Sequence, residues 1–481
     1  MRTRRLADIA ILIAAGAFSG ALLSTPAAAQ TAADFAFQSA VKGPPPGWTG
    51  PVFKLSDGYP ATVANECAEC TWLKVPVSFN PQFPPPKGNP WISGKWADYL
   101  KQILNYVKQG QDPQLGNRPG FQVNVDGKTR WFNVPWIAYD PTVGREFVHG
   151  TTNERTAHLR DLLHPKTSLL RGVVTLRGVN MLPRMSMTAE CKAKPEYAAG
   201  FETWAVGFYN EWGGVAFGKA IPKSGVPQVV DYMGTPMPAG LPFPPNTVVV
   251  KFLTTNAPPE CVTYLKGSPE WQIDRHVLDP KTRQYTCDRA VQISRIVQVD
   301  VAVTDPRSPT GWVYGTYAYD AGQKGTTFWD HLLPLGIQYG SDPWSFPAVP
   351  KGESIPVQQS VLNPGVNIYQ HFGCNGRLAG PVDNSQSSCM SCHGSAFAAP
   401  GGAVSQMGVN VPPSFGFAGM CTQYSLANAA YFNDIVAPQK FSGGNYPDAI
   451  PLDTSLQLEV AFQQYGQFNT AKAPAACTLG K

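Results

Sequence analysis

Residues 295–320, RIVQVDVAVTDPRSPTGWVYGTYAYD, contain two apolar runs separated by a turn rich in Pro and Gly. Within each run large apolar residues alternate with polar or small ones, which is the pattern of a β-strand with one buried face. Two similar runs precede them, FETWAVGFYN at 201–210 and NTVVVKFLTTN at 246–256. Together the four runs predict an antiparallel sheet with one packed face.

The composition favours strands and irregular loops over long helices. Gly and Pro number 46 each in 481 residues, and only 15% of the residues are charged. The chain is long enough for two or three domains, and 43% hydrophobic residues are enough to form their buried cores. We therefore predict an α+β fold, mainly antiparallel β. The change of pattern near residue 195 predicts an N-terminal mixed domain at 30–195 and a β-sheet domain with long loops at 196–481.

The first 29 residues have the pattern of a secretory signal peptide. Three arginines precede an apolar run that ends in small residues, with a cleavage site expected near Gln30. The alternative is a single membrane anchor, but the apolar run is shorter than the roughly 20 residues that span a bilayer. We expect a periplasmic or secreted protein. Removal of the leader lowers the formal charge from +5 to +3, which indicates neither a nucleic acid nor an acidic membrane as partner.

Several local elements are predicted outside the sheet. Residues 89–110 have an aromatic stripe at helical spacing, which we assign to the core and not to a cofactor site. Asp126-Gly127 predicts the tight turn of a hairpin. Further helices are predicted at 151–165, 326–336 and 424–436. We interpret the histidines of the N-terminal region as ordinary surface or core residues; these are His149, His158 and His164.

The sequence SSCMSCHGSAF at 387–397 contains the spacing C-x-x-C-H. Cys389 and Cys392 are placed to bond the two vinyl groups of a haem, and His393 to ligate its iron. By chance this pattern is expected only about 0.003 times in such a chain. The alternatives are a zinc site, which lacks two further ligands nearby, and a disulfide between the two cysteines.

The other eight cysteines allow up to four disulfides, in an exported chain. One pair, Cys67 and Cys70, repeats the C-x-x-C spacing in NECAECTWL, but Thr71 stands where the haem motif has histidine. A local disulfide is the preferred interpretation there, and a second haem the alternative. The sequence leaves the remaining pairings open.

Two charged residues interrupt the apolar strand runs. Lys251 in VVVKFL either reaches solvent at a sheet edge or points at a group that tolerates its amine. Asp300 in VQVDVAV is either a surface carboxylate or a buried one, and burial would raise its pKa and suit it to accept protons. We select both as candidate catalytic residues.

The order of FPPNTVVVKFL (243–253), VQVDVAVTDPRSPTGWVYGTY (297–317) and SCMSCHGSA (388–396) resembles the family of cytochrome P-460 and cytochrome c′-beta. The resemblance covers residues 196–320 and the haem segment. Members of this family are exported c-type cytochromes in which an antiparallel sheet covers one face of the haem, and the resemblance implies the same arrangement here. The matching positions are Lys251, Asp300, Val303 with Asp305, Gly311 with Trp312, and Cys389, Cys392 and His393.

The same resemblance implies roles for the two charged residues. In hydroxylamine-oxidising members the matching lysine is bonded to the haem edge, and a glutamate stands where this chain has Asp300. Two departures are the long segment between Trp312 and Cys389 and the N-terminal region 30–195, which has no counterpart in the family. The relatives pair as dimers through the sheet, so a homodimer is expected.

Three functions follow from these patterns. The first is a monohaem protein with an open iron site that acts on a small nitrogen species, such as hydroxylamine or nitric oxide, as an oxidoreductase or gas-binding protein. The second is an electron carrier with Met407 or Met420 as sixth iron ligand. The third is an enzyme in which residues 30–195 bind an organic substrate. Each of them requires a redox partner protein or a small-molecule substrate.

Overall fold

The fold is described from a computed structural model, in which one antiparallel sheet is the central element. The residues described are 47–49, 56–79, 90–116, 120–133, 138–140, 144–146, 151–153, 162, 191, 194, 197, 200–222, 228, 242–279, 281–282, 285–341, 359–366, 373, 377–383, 387–394, 396–398, 409–410, 450–459 and 461–462. All of them belong to one compact unit that extends from Ala32 to Lys481.

The described strands and helices are numbered here in chain order. The strands are β1 Asn124–Val125, β2 Lys128–Thr129, β3 Ala138–Asp140, β4 Gly144–Glu146, β5 Thr151–Asn153, β6 Thr203–Tyr209, β7 Val248–Thr255, β8 Glu270–Leu278, β9 Tyr285–Thr304, β10 Trp312–Tyr319, β11 Leu332–Gln338, β12 Ser360–Leu362, β13 Ala396–Ala398, β14 Val409–Asn410 and β15 Ile450–Pro451. The helices are α1 Pro90–Ser93, α2 Trp96–Val107, α3 Glu211–Ala220 and α4 Cys389–His393, with 3-10 turns at Thr71–Lys74, Thr263–Leu265 and Phe328–His331.

The main sheet has the strand order β12-β11-β10-β9-β7-β6-β5, and β8 pairs with β9 outside this path. All of its neighbouring strands run antiparallel. The four strands predicted between residues 201 and 320 are confirmed as β6, β7, β9 and β10. The mainly antiparallel β architecture with few helices is therefore confirmed for the described residues.

Alternation along β10 divides the sheet into two packed faces. Val313 and Tyr317 belong to one hydrophobic cluster, while Trp312 and Tyr314 belong to a second. Successive side chains of a strand point to opposite faces, so each cluster marks one face. We call them the helix face, covered by α2, and the motif face, covered by the segment that contains Met390.

Helix α2 confirms the predicted amphipathic helix. Tyr99, Leu100 and Ile103 are fully buried, and the Tyr317 hydroxyl donates a hydrogen bond to the Leu100 carbonyl at 2.6 Å. The helix approaches β10 so closely that a Cβ on Gly315 would lie 2.3 Å from a Leu100 methyl carbon. Residues from both sides of position 195 thus share the helix-face cluster.

The hairpin predicted around Asp126-Gly127 is confirmed as β1 and β2. Asp126 and Gly127 have φ of 50° and 75°, which is the left-handed backbone of a two-residue hairpin turn. Glycine adopts this conformation without a steric penalty, and aspartate tolerates it better than most residues. The local sequence was therefore sufficient to define this turn.

The helix predicted at 326–336 is wrong. The segment has a capping box, in which Asp330 donates its N–H to the Thr327 hydroxyl and accepts from the Thr327 backbone, and this is a helix-start signal. Only one 3-10 turn, Phe328–His331, follows before the chain becomes β11 and pairs with β10. Pro334 has no N–H for a continuing helix, and pairing with the sheet satisfies the remaining backbone groups.

The helix predicted at 151–165 is wrong at its start, because Thr151–Asn153 form β5 and pair with β6 at the sheet edge. Apart from residue 162, the rest of that segment lies outside the described residues. The same is true of the segment 424–436, of His149, His158 and His164, and of Met407 and Met420. Among the described residues, no helix is long and apolar enough to cross a bilayer.

Two disulfides are formed among the described residues. Cys67 bonds to Cys70, which confirms the local pair predicted for CAECT. Cys191 bonds to Cys261 across a sequence separation of 70 residues. Because the second bond closes a loop of 70 residues and the first closes one of only 3, the second restricts the unfolded chain far more.

Removal of the two disulfides should therefore have unequal effects. Because the loss of chain entropy grows with loop length, the Cys191→Ala/Cys261→Ala variant should lose about 4 kcal/mol of unfolding free energy. The Cys67→Ala/Cys70→Ala variant is the matched control and should lose about 2 kcal/mol. Chemical denaturation of the three proteins measures this difference, and equal losses would contradict it.

Candidate functional site

Helix α4 is a single helical turn that is capped by the residue before it and held against the motif face by hydrogen bonds to other segments. Ser388 is its N-cap, and its hydroxyl accepts a hydrogen bond from the Ser391 N–H at 3.2 Å. The Cys389 N–H donates to the Leu378 carbonyl, and the Met390 N–H donates to the Gln338 side-chain oxygen, each at 3.2 Å. With the Met390 side chain buried, these contacts fix the position of the C-x-x-C-H motif on the sheet.

Neither motif cysteine is disulfide-bonded, so the alternative of a disulfide between them is not formed. The Cys392 sulfur lies 2.9 Å from the Ser387 hydroxyl oxygen. Burial raises the pKa of the Cys389 thiol well above its usual value, and the charges of Asp300 and Asp383 raise it further. Cys389 is therefore a protonated thiol at neutral pH.

The His393 ring is oriented by a backbone carbonyl and an aromatic ring. Its Nδ1 lies 2.9 Å from the Thr454 carbonyl oxygen, which only accepts, so Nδ1 carries the proton. The Tyr314 ring centroid lies 4.5 Å from that of His393, and the Tyr314 hydroxyl lies 2.5 Å from the Thr454 hydroxyl. This tautomer leaves the lone pair on Nε2, as in histidines that ligate metals through Nε2 and donate through Nδ1.

A row of residues crosses the sheet close to the motif. Lys251 of β7 lies opposite Asp300 of β9, and Asp300 lies opposite Thr316 of β10. Directly opposite residues of antiparallel strands have Cβ atoms about 5 Å apart, so their side chains interact on one face. We call Lys251, Asp300 and Thr316 the polar row.

The Asp300 carboxyl group accepts three hydrogen bonds. The Thr316 hydroxyl donates at 2.8 Å, and the Gln298 amide nitrogen donates to the two carboxyl oxygens at 2.9 and 3.0 Å. Burial and the charge of Asp383 raise the pKa of Asp300 to about 7, although Gln298, Lys251 and Thr316 favour the ionised form. Both protonation states are thus populated near neutral pH.

Thr316 connects the polar row to the motif. Its hydroxyl donates to Asp300 and lies near enough to Cys389 to lower the pKa of that thiol. Two residues earlier on the same face of β10, Tyr314 contacts His393. The sequence-predicted residues Asp300 and Cys389, 89 positions apart, are therefore brought together by one strand, with Lys251 opposite Asp300.

Four residues that contact the predicted site residues or act on them by charge are not indicated by the motifs in the sequence; these are Gln298, Thr316, Asp383 and Thr454. Gln298 and Thr316 share the face of Asp300 by strand alternation and register, which is a signal that the sequence contains. Asp383 and Thr454 lie in loops, and no local pattern indicates that they approach the sheet or His393. Their positions follow from tertiary contacts alone.

The residues present fit a covalently attached haem. Two thiols that are not joined in a disulfide stand at the required spacing on one helical turn, and the adjacent histidine keeps an Nε2 lone pair. No cluster of three or more Cys, His, Asp or Glu side chains suited to a bare metal ion occurs in the described part of the chain. A haem iron takes four ligands from the porphyrin, so a single protein ligand suffices.

Comparison with known protein families, with characterised proteins and with solved structures gives no match to this chain. The resemblance to cytochrome P-460 and cytochrome c′-beta rests on the sequence motifs described above. The proposed function therefore rests on the geometry of the site.

Proposed function

We propose that this protein is an exported monohaem c-type cytochrome that acts on a small nitrogen species, hydroxylamine or nitric oxide, as an oxidoreductase or gas-binding protein. Cys389 and Cys392 would attach the haem, and His393 would ligate its iron through Nε2. The observation that supports this proposal most directly is the placement of Asp300, hydrogen-bonded to Thr316 and opposite Lys251, close enough to Cys389 for its charge to raise the pKa of that thiol. This arrangement places the attachment motif next to groups that can accept and donate protons.

The polar row supplies the acid–base chemistry of the proposed site. With a pKa of about 7, Asp300 accepts a proton from a bound N–H or O–H group and releases it again near neutral pH. Lys251 places a positive charge opposite Asp300 and favours its ionised form. The haem would supply an iron that binds the small ligand and accepts electrons from it.

A protein of this kind needs a route for its electrons, so we propose a redox partner protein. The leader at residues 1–29 supports action in the periplasm or outside the cell. Pairing through the sheet, as the resemblance implies, would give a homodimer. The alternative function is an electron carrier with Met407 or Met420 as sixth ligand.

The ferrous optical spectrum tests the proposed open site. We expect a high-spin spectrum that changes on addition of CO, because in the proposed open site no methionine sulfur ligates the iron. Met407→Ala and Met420→Ala should each leave that spectrum unchanged. A low-spin ferrous spectrum that is lost in either variant would instead establish the electron carrier.

A further inference from the structure

Asp383 lies beside the polar row, in the loop that precedes the C-x-x-C-H motif. Its carboxyl oxygen Oδ2 accepts a hydrogen bond from the Gln298 side-chain nitrogen at 3.1 Å. The same nitrogen donates to both oxygens of Asp300. Two carboxyl groups from distant parts of the chain are thus held within 3.1 Å of one nitrogen atom.

The contact is built into the loop. The Gly380 N–H donates to Asp383 Oδ2 at 2.7 Å, and the Val382 N–H donates to the Gln298 side-chain oxygen at 3.3 Å. A Cβ on Gly380 would lie 2.0 Å from that oxygen, so only glycine lets the loop approach Gln298 this closely. Gln298 itself is fully buried. The loop and β9 therefore fix the separation of the two carboxyl groups.

We propose that Asp300 and Asp383 form a pair that shares one proton, bridged by Gln298, and that Asp383 is the positioning residue that sets the proton affinity of Asp300. Two carboxylates held this close in a half-buried site repel each other, so a single proton between them is favoured. The proton resides on Asp300, whose carboxyl is enclosed by Gln298, Thr316 and Lys251. How the site uses that proton rests on the proposed function, whereas the pair stands on the geometry alone.

Among the described residues, the charged and titratable groups that act on Asp300 lie on β7, in the loop before the motif, and on α4. Lys251 on β7 favours ionised Asp300, while Asp383 in the preceding loop favours its protonated form. Cys389 on α4 is a protonated thiol and carries no charge near neutral pH. The remaining neighbours, Gln298 and Thr316, are neutral donors. Among these neighbours, Asp383 is the one that raises the pKa of Asp300 by its charge.

Infrared titration of carboxyl groups in the full-length exported protein tests the pair. Asp300 and Asp453 should both titrate near pH 7, because burial also raises the pKa of Asp453 to about 7, and buried Glu459, whose pKa is raised well above its usual value, adds a further signal. Asp300→Asn and Asp453→Asn assign the two signals. In Asp383→Asn, the Asp300 midpoint should move to lower pH by about one unit, since a neighbouring negative charge is lost. The Asp453 midpoint should stay unchanged as an internal control.

A second variant acts in the opposite direction. Gln298→Leu keeps both carboxyl groups but removes the donor that favours their ionised forms, so the Asp300 midpoint should rise. If Asp383→Asn does not fold, this variant decides the test. An unchanged Asp300 midpoint in whichever variant folds overturns the pair.

Stability gives an independent readout on the wild type. A carboxyl whose pKa is about 7 when folded and 3.8 when unfolded binds more protons in the folded state between these values. The unfolding equilibrium constant should therefore rise by up to about tenfold per pH unit between pH 4 and 7 for each such group. Asp300→Asn should lower the slope of the logarithm of the unfolding equilibrium constant against pH by up to about one. An unchanged slope contradicts the assignment. None of these measurements needs substrate, so their failure would leave the nitrogen chemistry open.

Discussion

Replacement of Cys389 and Cys392 by alanine is expected to abolish covalent haem completely. Both residues lie on the single turn α4 and are not disulfide-bonded, and no other C-x-x-C-H sequence exists in the chain. The other C-x-x-C pair, Cys67 and Cys70, is closed as a disulfide and has no following histidine. The protein should therefore lose all haem staining on a denaturing gel.

The matched control is Cys67→Ala/Cys70→Ala, which removes a C-x-x-C pair without touching α4 and should keep full staining. Both proteins must be exported in a host with an intact haem-attachment system. Haem staining that survives in the Cys389→Ala/Cys392→Ala variant would show that CAECT holds a haem and that the proposed site is wrong. Staining absent from wild type would contradict the proposed cofactor.

The second large effect is expected at Lys251. If its amine is bonded to the haem edge, as the family resemblance implies, the ferrous absorption band should lie far to the red of an ordinary c-type spectrum. Lys251→Ala should then restore an ordinary spectrum and abolish hydroxylamine oxidation. Haem should stay attached, because Cys389 and Cys392 are unchanged. Intact-mass measurement under denaturing conditions counts the bonds between chain and haem.

Lys101 offers a matched control for this experiment. It is an exposed lysine on α2, which packs on the opposite face of the sheet, so Lys101→Ala should leave spectrum, mass and activity unchanged. An ordinary wild-type spectrum would show that the bond is absent and would favour a gas-binding protein like cytochrome c′-beta. If Lys251→Ala then changes neither the spectrum nor ligand binding, Lys251 has no role at the iron site.

The strand predictions succeeded where the signal was local. In β9 and β10, alternation of apolar and polar residues reflects a geometric property of each strand, so it survives in the sequence. The same holds for the hairpin turn at Asp126-Gly127 and for the disulfide between Cys67 and Cys70. The C-x-x-C-H spacing is also local, and the structure places its three residues on α4.

The helix prediction at 326–336 failed because two signals competed. The capping box of Thr327 and Asp330 is a true local feature and forms in the structure. The residues after His331 are apolar enough for either a helix or a buried strand, and pairing of β11 with β10 decided between them. Backbone groups next to an existing strand gain hydrogen-bond partners that the isolated sequence does not reveal.

The sequence by itself determined the sheet-forming segments, and it indicated the proposed leader and the three residues proposed to hold haem. Only the tertiary structure decided that Lys251, Asp300 and Thr316 form one row and that Asp383 reaches this row through Gln298. The physical reason is the range of the interactions. Alternation and motif spacing depend on neighbours in the chain, whereas strand register and loop contacts depend on which distant segments satisfy one another's hydrogen bonds and bury one another's apolar surface.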